Sequence, residues 1–407
     1  MLQLKKHINI ALLYFLMVGA MGVLLRLFYV TPVLVNYRYI VHAHSHVALL
    51  GWVYLAISTI IYRMYFSEKV VDKAYQKIFL LTNMSILGMM FSFPFQGYAL
   101  FSIIFSTLFL IASYLLAWFF LKKVPSNFKK SCSYWCVKAA LCYMVLSSLG
   151  PWAVGGIMGT LGKSSIWYKL AIYFYLHFQY NGWFILALIG VLFFIAERVK
   201  IDIPKQKFFR FFWLINAGIV FSFFLSVLWL KPPAIFYWLA ALGAMLQVAA
   251  FFEFFYIIKK IWKYLQDQLT VISALLLKIS AGCLSIKILL QLFSALPFFA
   301  ELSFKYTDFV IGYLHWTFLG VISLALFGFL NHFNFIKINR GQFWLYVTGF
   351  ILSEGLIFYK GVFLWMRWGL LNNYFEILVG ISALIPVSIG IILFQNLKRK
   401  ATGDNEK

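Results

Sequence analysis

Three segments of the chain, YIVHAHSHVALLGWVYL, FYLHFQYNGWFIL and IGYLHWTFLGVISL, each set an imidazole inside an apolar run. Aligned on the last histidine of each, His46, His177 and His315 are followed five residues later by Gly51, Gly182 and Gly320, and then by Trp52, Trp183 and Val321. Two residues before each histidine stands a second ring with a polar tip: His44, Tyr175 and Tyr313. The separations between the aligned histidines are 131 and 138 residues, a period that marks an internal threefold repeat. A titratable ring inside hydrocarbon is costly and faces a partner, a cavity or a metal. Neutral imidazole is a common metal ligand, and buried iron porphyrins are held by axial side chains from facing helices. Two histidines at similar depth on facing helices would sandwich such an iron. The glycines one turn further on are expected to let the macrocycle approach the backbone. The competing reading, interhelical hydrogen bonding by each ring, is weakened by the threefold recurrence.

The elements that must carry these rings follow from composition. Hydrophobic residues make up 63% of the 407 residues and charged ones 12%. A soluble domain has roughly 25% charged residues, so an all-α polytopic membrane protein is expected. About 20 apolar residues cross the hydrocarbon as a helix. Twelve such spans fall near residues 8–30, 40–62, 78–97, 99–121, 134–158, 167–195, 208–230, 233–257, 270–296, 306–331, 342–364 and 373–396. The weakest divide, between the third and fourth, lies around Pro94 to Gly97. Residues 1–407 read as one transmembrane domain of three pseudo-repeated four-helix units, near 8–121, 134–257 and 270–396. The marked histidines then open the second helix of each unit.

Charge placement supports the count. Counted with the outermost three residues of the adjoining spans, the N-terminus, the even-numbered connections and the C-terminal tail carry 24 of the 35 Lys and Arg, including Lys69, Lys122, Lys123, Arg198 and Lys398. The opposite connections carry six: Arg38, Lys163, Lys169, Lys231, Lys305 and Arg367. By the positive-inside rule both termini are expected in the cytoplasm and the marked histidines in the outer half of an inner (plasma) membrane. The net charge of +23 is accounted for by anionic lipid, so no nucleic-acid partner is expected. The first apolar run is too long for a signal-peptide core, and no lipidation signal is seen at the other end. Cys132 and Cys136, one helical turn apart, could present two thiolates to a metal or serve as small apolar residues. Without a Cys-x-x-Cys-His sequence, covalent haem attachment is not expected.

On these three segments and the twelve-span pattern, the chain resembles subunit I of the haem–copper oxidase superfamily, which includes nitric oxide reductases. KYTDFVIGYLHWTFLGV is similar to helix ten of the C-family oxidases. The resemblance implies three four-helix arcs, a b-type haem, iron ligation, electron transport and an oxidoreductase setting. It makes His315 the low-spin haem ligand on the tenth helix. Its partner on the second helix is His44 by direct comparison with the oxidases and His46 by the internal repeat; His42 shares a face with His46. His177 falls where the family supplies a copper ligand. Arg367 lies where propionate-binding arginines occur, and Arg38 and Arg26 are further cations on the outer side. Tyr313, however, stands where the high-spin haem ligand is expected, and the seventh span has no histidine. Oxygen reduction as the family performs it is therefore not implied, and oxidase-like or nitric oxide reductase-like turnover stays open. The chain also resembles divergent haem and copper proteins of nitric oxide stress. A nitric oxide or metal-stress binding protein and a transition-metal or proton transporter are the alternatives. Beyond lipid and haem, a redox partner or accessory subunit is the expected partner class. Lys278, Lys287, Lys360 and Glu354 sit within spans and suggest charge pairs or a proton path.

Overall fold

A computed structural model describes residues 2–66 and 71–401; Lys69 lies outside them. The protein is 85% helical, with no strand among the described residues. Among the described residues, twelve helices are long and apolar enough to cross a membrane: α1 Gln3–Leu27, α2 Tyr37–Tyr65, α3 Lys73–Gln96, α4 Leu100–Lys123, α5 Cys132–Thr160, α6 Ile166–Arg198, α7 Lys205–Leu230, α8 Ala234–Gln266, α9 Val271–Phe293, α10 Thr307–His332, α11 Arg340–Met366 and α12 Tyr374–Lys398. Helices satisfy their own backbone, which is why an apolar chain takes this form. Polar caps end them where water or headgroups begin. The Asn36, Asp72, Ser131 and Ser165 side chains accept backbone N–H bonds at the starts of α2, α3, α5 and α6, and Asn339 and Gln342 form a capping box on α11.

The expected divide between the third and fourth spans is real. Gly97 closes α3 with φ +61° and ψ −140°, a conformation that suits glycine. A Cβ there would lie 2.5 Å from the Tyr39 ring.

The chain divides into two compact units. The first comprises residues 1–119, 270–277 and 323–407; the second comprises 120–269 and 278–322. The first and second pseudo-repeats thus fall in different units, and the third is divided between them.

In the first unit, α1 packs on α12 where Gly19 admits Pro386, at 2.9 Å from an added Cβ. Asn396 Nδ2 donates to Asn9 Oδ1 at 2.6 Å and to the Phe335 carbonyl at 3.0 Å. Phe15 stacks on Trp52, whose indole N–H donates to Ser323 Oγ at 2.8 Å.

In the second unit, α7 and α8 meet through small residues, Gly218 against Gln247 and Gly243 against the backbone of Ser222. Gln247 Nε2 donates to Ser222 Oγ at 2.5 Å. At the start of α5, Glu197 of α6 accepts from the Cys132 and Ser133 N–H groups at 2.6 and 3.2 Å and from Ser133 Oγ at 2.5 Å. These N–H groups have no intrahelical acceptor, so the carboxylate serves as a cap from a neighbouring helix. Glu197→Ala is expected to cost about 1–2 kcal/mol, read as a lower thermal midpoint in detergent, with Glu197→Gln close to wild type. Equal midpoints for all three would show that the cap is inert.

α2 and α6 are the enclosed helices. Of their most apolar windows 89% is buried, against 28–50% for the other ten. These two carry four of the seven histidines, so most of the rings sit on the helices with least access to lipid.

Candidate functional site

Immediately after each aligned histidine the helix changes register. The α-helix ending at His46 continues as π-helix over Val47–Tyr54, that ending at His177 over Phe178–Phe184, and that ending at His315 over Trp316–Ser323. A π segment widens the turn and shifts the faces presented beyond it, and such segments recur at functional sites. The threefold pattern in the residues is therefore also a threefold pattern in the backbone.

The repeat extends to the glycine surroundings. A Cβ on Gly51 would lie 2.8 Å from the Tyr14 ring, and one on Gly182 would lie 2.5 Å from the Tyr143 ring. Tyr14 OH donates to Asn83 Oδ1 at 2.7 Å, and Tyr143 OH to the Asn216 carbonyl at 3.2 Å. In both cases a tyrosine of a repeat's first helix crosses the glycine of its second to reach an asparagine of its third. This corrects one expectation. Gly51 and Gly182 make room for tyrosine rings of the neighbouring helix, and the space expected for a macrocycle is filled there.

In the first unit His42 and His46 share Tyr98 and Phe93 as neighbours, while His44 turns elsewhere. His46 Nδ1 lies 2.9 Å from the His42 carbonyl, so it carries the proton; Nε2 then accepts from Tyr98 OH at 3.0 Å. Protein atoms engage both of its nitrogens. The His42 ring packs edge-on against Tyr98, with centroids 4.6 Å apart. His44 turns to α1, where Nδ1 lies 3.1 Å from the Val18 carbonyl and must donate to it. Its lone pair is then on Nε2. A backbone carbonyl that orients imidazole through the other nitrogen is the usual support of a metal-binding histidine. Gly22 admits the ring, since a Cβ there would stand 3.2 Å from His44 Cε1.

Arg26, on the same helix as Val18, acts electrostatically on His44 and on Glu354 of α11. Glu354 is fully buried, and Arg26 is half-buried. Arg38 and Arg367 are exposed, and Arg367 closes α11 in a left-handed conformation with φ +57°. Lys360 lies 5.7 Å from the Tyr29 and Phe375 ring centres.

His177 and His315 belong to the second unit, where their helices meet at Tyr180 and Tyr313, with ring centroids 6.3 Å apart. His177 is buried. Its Nε2 donates to the Ile219 carbonyl at 2.8 Å, which leaves Nδ1 to accept from Asn181 Nδ2 at 3.3 Å. A metal at His177 would have to displace one of these bonds. Among the described residues no three of His, Cys, Asp and Glu converge as a metal cage. The four cysteines are unbridged, and the Cys132 backbone N–H is part of the Glu197 cap.

Three further polar residues engage these groups: Tyr98 and Gln291, outside the histidine segments, and Asn181, within the second of them. Asn181 follows His177, and Gln291 follows Lys287, by four residues, the spacing of neighbours on one helix face. That signal was legible. Tyr98 sits in the turn after α3, and nothing in its local sequence points to His46.

No protein-family model matches the chain, and no curated protein is significantly similar to it.

Proposed function

We propose that this chain is a haem-binding integral membrane protein that passes electrons through a b-type haem with His44 as an axial ligand. The observation that supports this most is the hydrogen bond from His44 Nδ1 to the Val18 carbonyl, the backbone support typical of a metal-binding histidine. His46 Nδ1 instead turns back to its own helix at the His42 carbonyl, and its Nε2 accepts from Tyr98 OH. A second histidine ligand is what the sequence resemblance implies. When bound, the haem supplies one-electron chemistry.

The protein's own residues would hold and tune it. The Val18 carbonyl fixes the His44 ring, Gly22 leaves that ring its place, and Glu354 balances the Arg26 charge beside it. Arg26 is the propionate-side cation best connected to His44, while Arg38 and Arg367 fit headgroups equally well. A copper ion at His177 is not part of this proposal, because that ring is held by two protein hydrogen bonds. The charge alternation supports a plasma-membrane protein with both termini cytoplasmic.

The test is an optical spectrum of the purified protein with metal analysis of the same sample. Sharp reduced bands that carbon monoxide leaves in place, with iron near one equivalent, are expected of a bis-histidine haem. Iron-free, colourless protein from haem-replete cells would overturn the reading. It would move the transport alternative forward.

A further inference from the structure

The buried polar cluster of the second unit has no part in the haem reading. Lys287 of α9 is 0% exposed. Its Nζ donates to Asn181 Oδ1 and, at 2.7 Å, to Gln291 Oε1, and it lies 5.8 Å from the centre of the Tyr180 ring. Tyr313 OH also points to Gln291 Oε1, at 3.4 Å.

The direction of these bonds is set from outside the cluster. The Ile219 carbonyl fixes the His177 tautomer, His177 Nδ1 takes the Asn181 amide N–H, and the Asn181 oxygen must therefore face Lys287. Two amide oxygens and a ring face together surround the amino group. The face of an aromatic ring attracts a cation and opposes an amine lone pair, so the surroundings are built for the ammonium form.

Among the described residues that ammonium has no counter-ion, since no carboxylate stands within salt-bridge distance of Lys287. Glu197 caps α5, Glu253 faces Lys207 and Arg210, and Glu301 faces Lys231. An unpaired charge in a low-dielectric interior is strongly unfavourable. Beside it, Gln291 Nε2 is a second buried donor with no acceptor among the described residues. Its orientation is set because the other amide atom accepts from both Lys287 and Tyr313. A cation and a neutral donor, one amide width apart and both lacking an anionic acceptor, make half of an ion site.

We propose that Lys287 and Gln291 bind a small monovalent inorganic anion of halide or nitrite size. The enclosure of Lys287 excludes larger organic anions, and a single negative charge neutralises the ammonium. This inference does not depend on the haem.

The test uses the full-length protein in detergent at constant ionic strength, titrated with sodium chloride or sodium nitrite against sodium gluconate. Unfolding midpoint and calorimetric binding are both read. Saturable stabilisation by chloride or nitrite, absent with gluconate, is expected, and the better of the two identifies a halide or an oxyanion. Lys287→Met should weaken anion binding at least tenfold. Gln291→Glu supplies a built-in carboxylate and should fold with no response to added anion, which guards against a Lys287→Met variant that fails to fold. The same titration on His44→Ala protein should be unchanged, and this separates failure here from failure of the haem reading. Gluconate acting as well as chloride and nitrite, or Gln291→Glu responding like wild type, would overturn the proposal.

Discussion

If the chain binds haem as proposed, His44→Ala is expected to abolish the haem spectrum of the purified protein, and His46→Ala and His42→Ala are expected to retain it. The three rings lie close together on one helix, so composition and depth do not separate them. Hydrogen bonding does. His44 gives its Nδ1 proton to another helix, at the Val18 carbonyl, which orients the ring. His46 gives its proton back to its own helix at the His42 carbonyl and receives the Tyr98 hydroxyl on the other nitrogen. Losing an axial ligand should lower haem retention by at least the ~10–100-fold seen when only a supporting residue of a metal ligand is removed. Losing His46 costs about 1 kcal/mol of stability, the value of an ordinary hydrogen bond, and leaves the absorption bands where they were. The measurement is haem per protein after purification, with reduced and oxidised spectra of each variant. Haem retained by His44→Ala and lost by His46→Ala would assign the ligand to the internal-repeat alignment instead.

Gly243→Leu should prevent stable assembly of the second unit. A Cβ at Gly243 would lie 2.1 Å from the Ser222 nitrogen and 2.4 Å from the Phe221 carbonyl carbon, and both are backbone atoms of α7. A side-chain end can rotate away; a helix backbone has to move as a whole. Overpacking a core typically costs about 1–3 kcal/mol. Forcing the two backbones apart would also draw Gly218 away from Gln247, so the upper end of that range or beyond is expected. Gly155→Leu is the matched control, because an added Cβ there meets nothing within 4 Å. Leucine also suits a helix better than glycine. Monodisperse yield and thermal midpoint should fall steeply for Gly243→Leu and stay level or rise for Gly155→Leu. Equal behaviour of the two would mean that the packing of α7 on α8 does not govern stability.

Gly51 and Gly182 show how a correct pattern can carry the wrong physical reason. Each glycine is marked by recurrence five residues after a histidine, and recurrence is a sequence property. What fills the space above a glycine belongs to another helix, here Tyr14 and Tyr143. The register change has a trace in the same spacing. Five residues do not bring two positions onto one face of an α-helix, but five is the hydrogen-bond step of a π-helix. The repeated His-to-Gly interval lies at the entrance to all three π segments.

What the residues determined by themselves was the set of twelve helices, their ends to within a few positions for most of them, and the threefold recurrence of the histidine segments. These depend on local sums: hydropathy over about twenty residues, a capping side chain, a basic connection. Tertiary structure alone decided that the Val18 carbonyl orients His44, that His177 is bound on both sides, and that Lys287 lies among neutral oxygens. A tautomer or a counter-ion is set by atoms from helices distant in the chain, and no local window contains them.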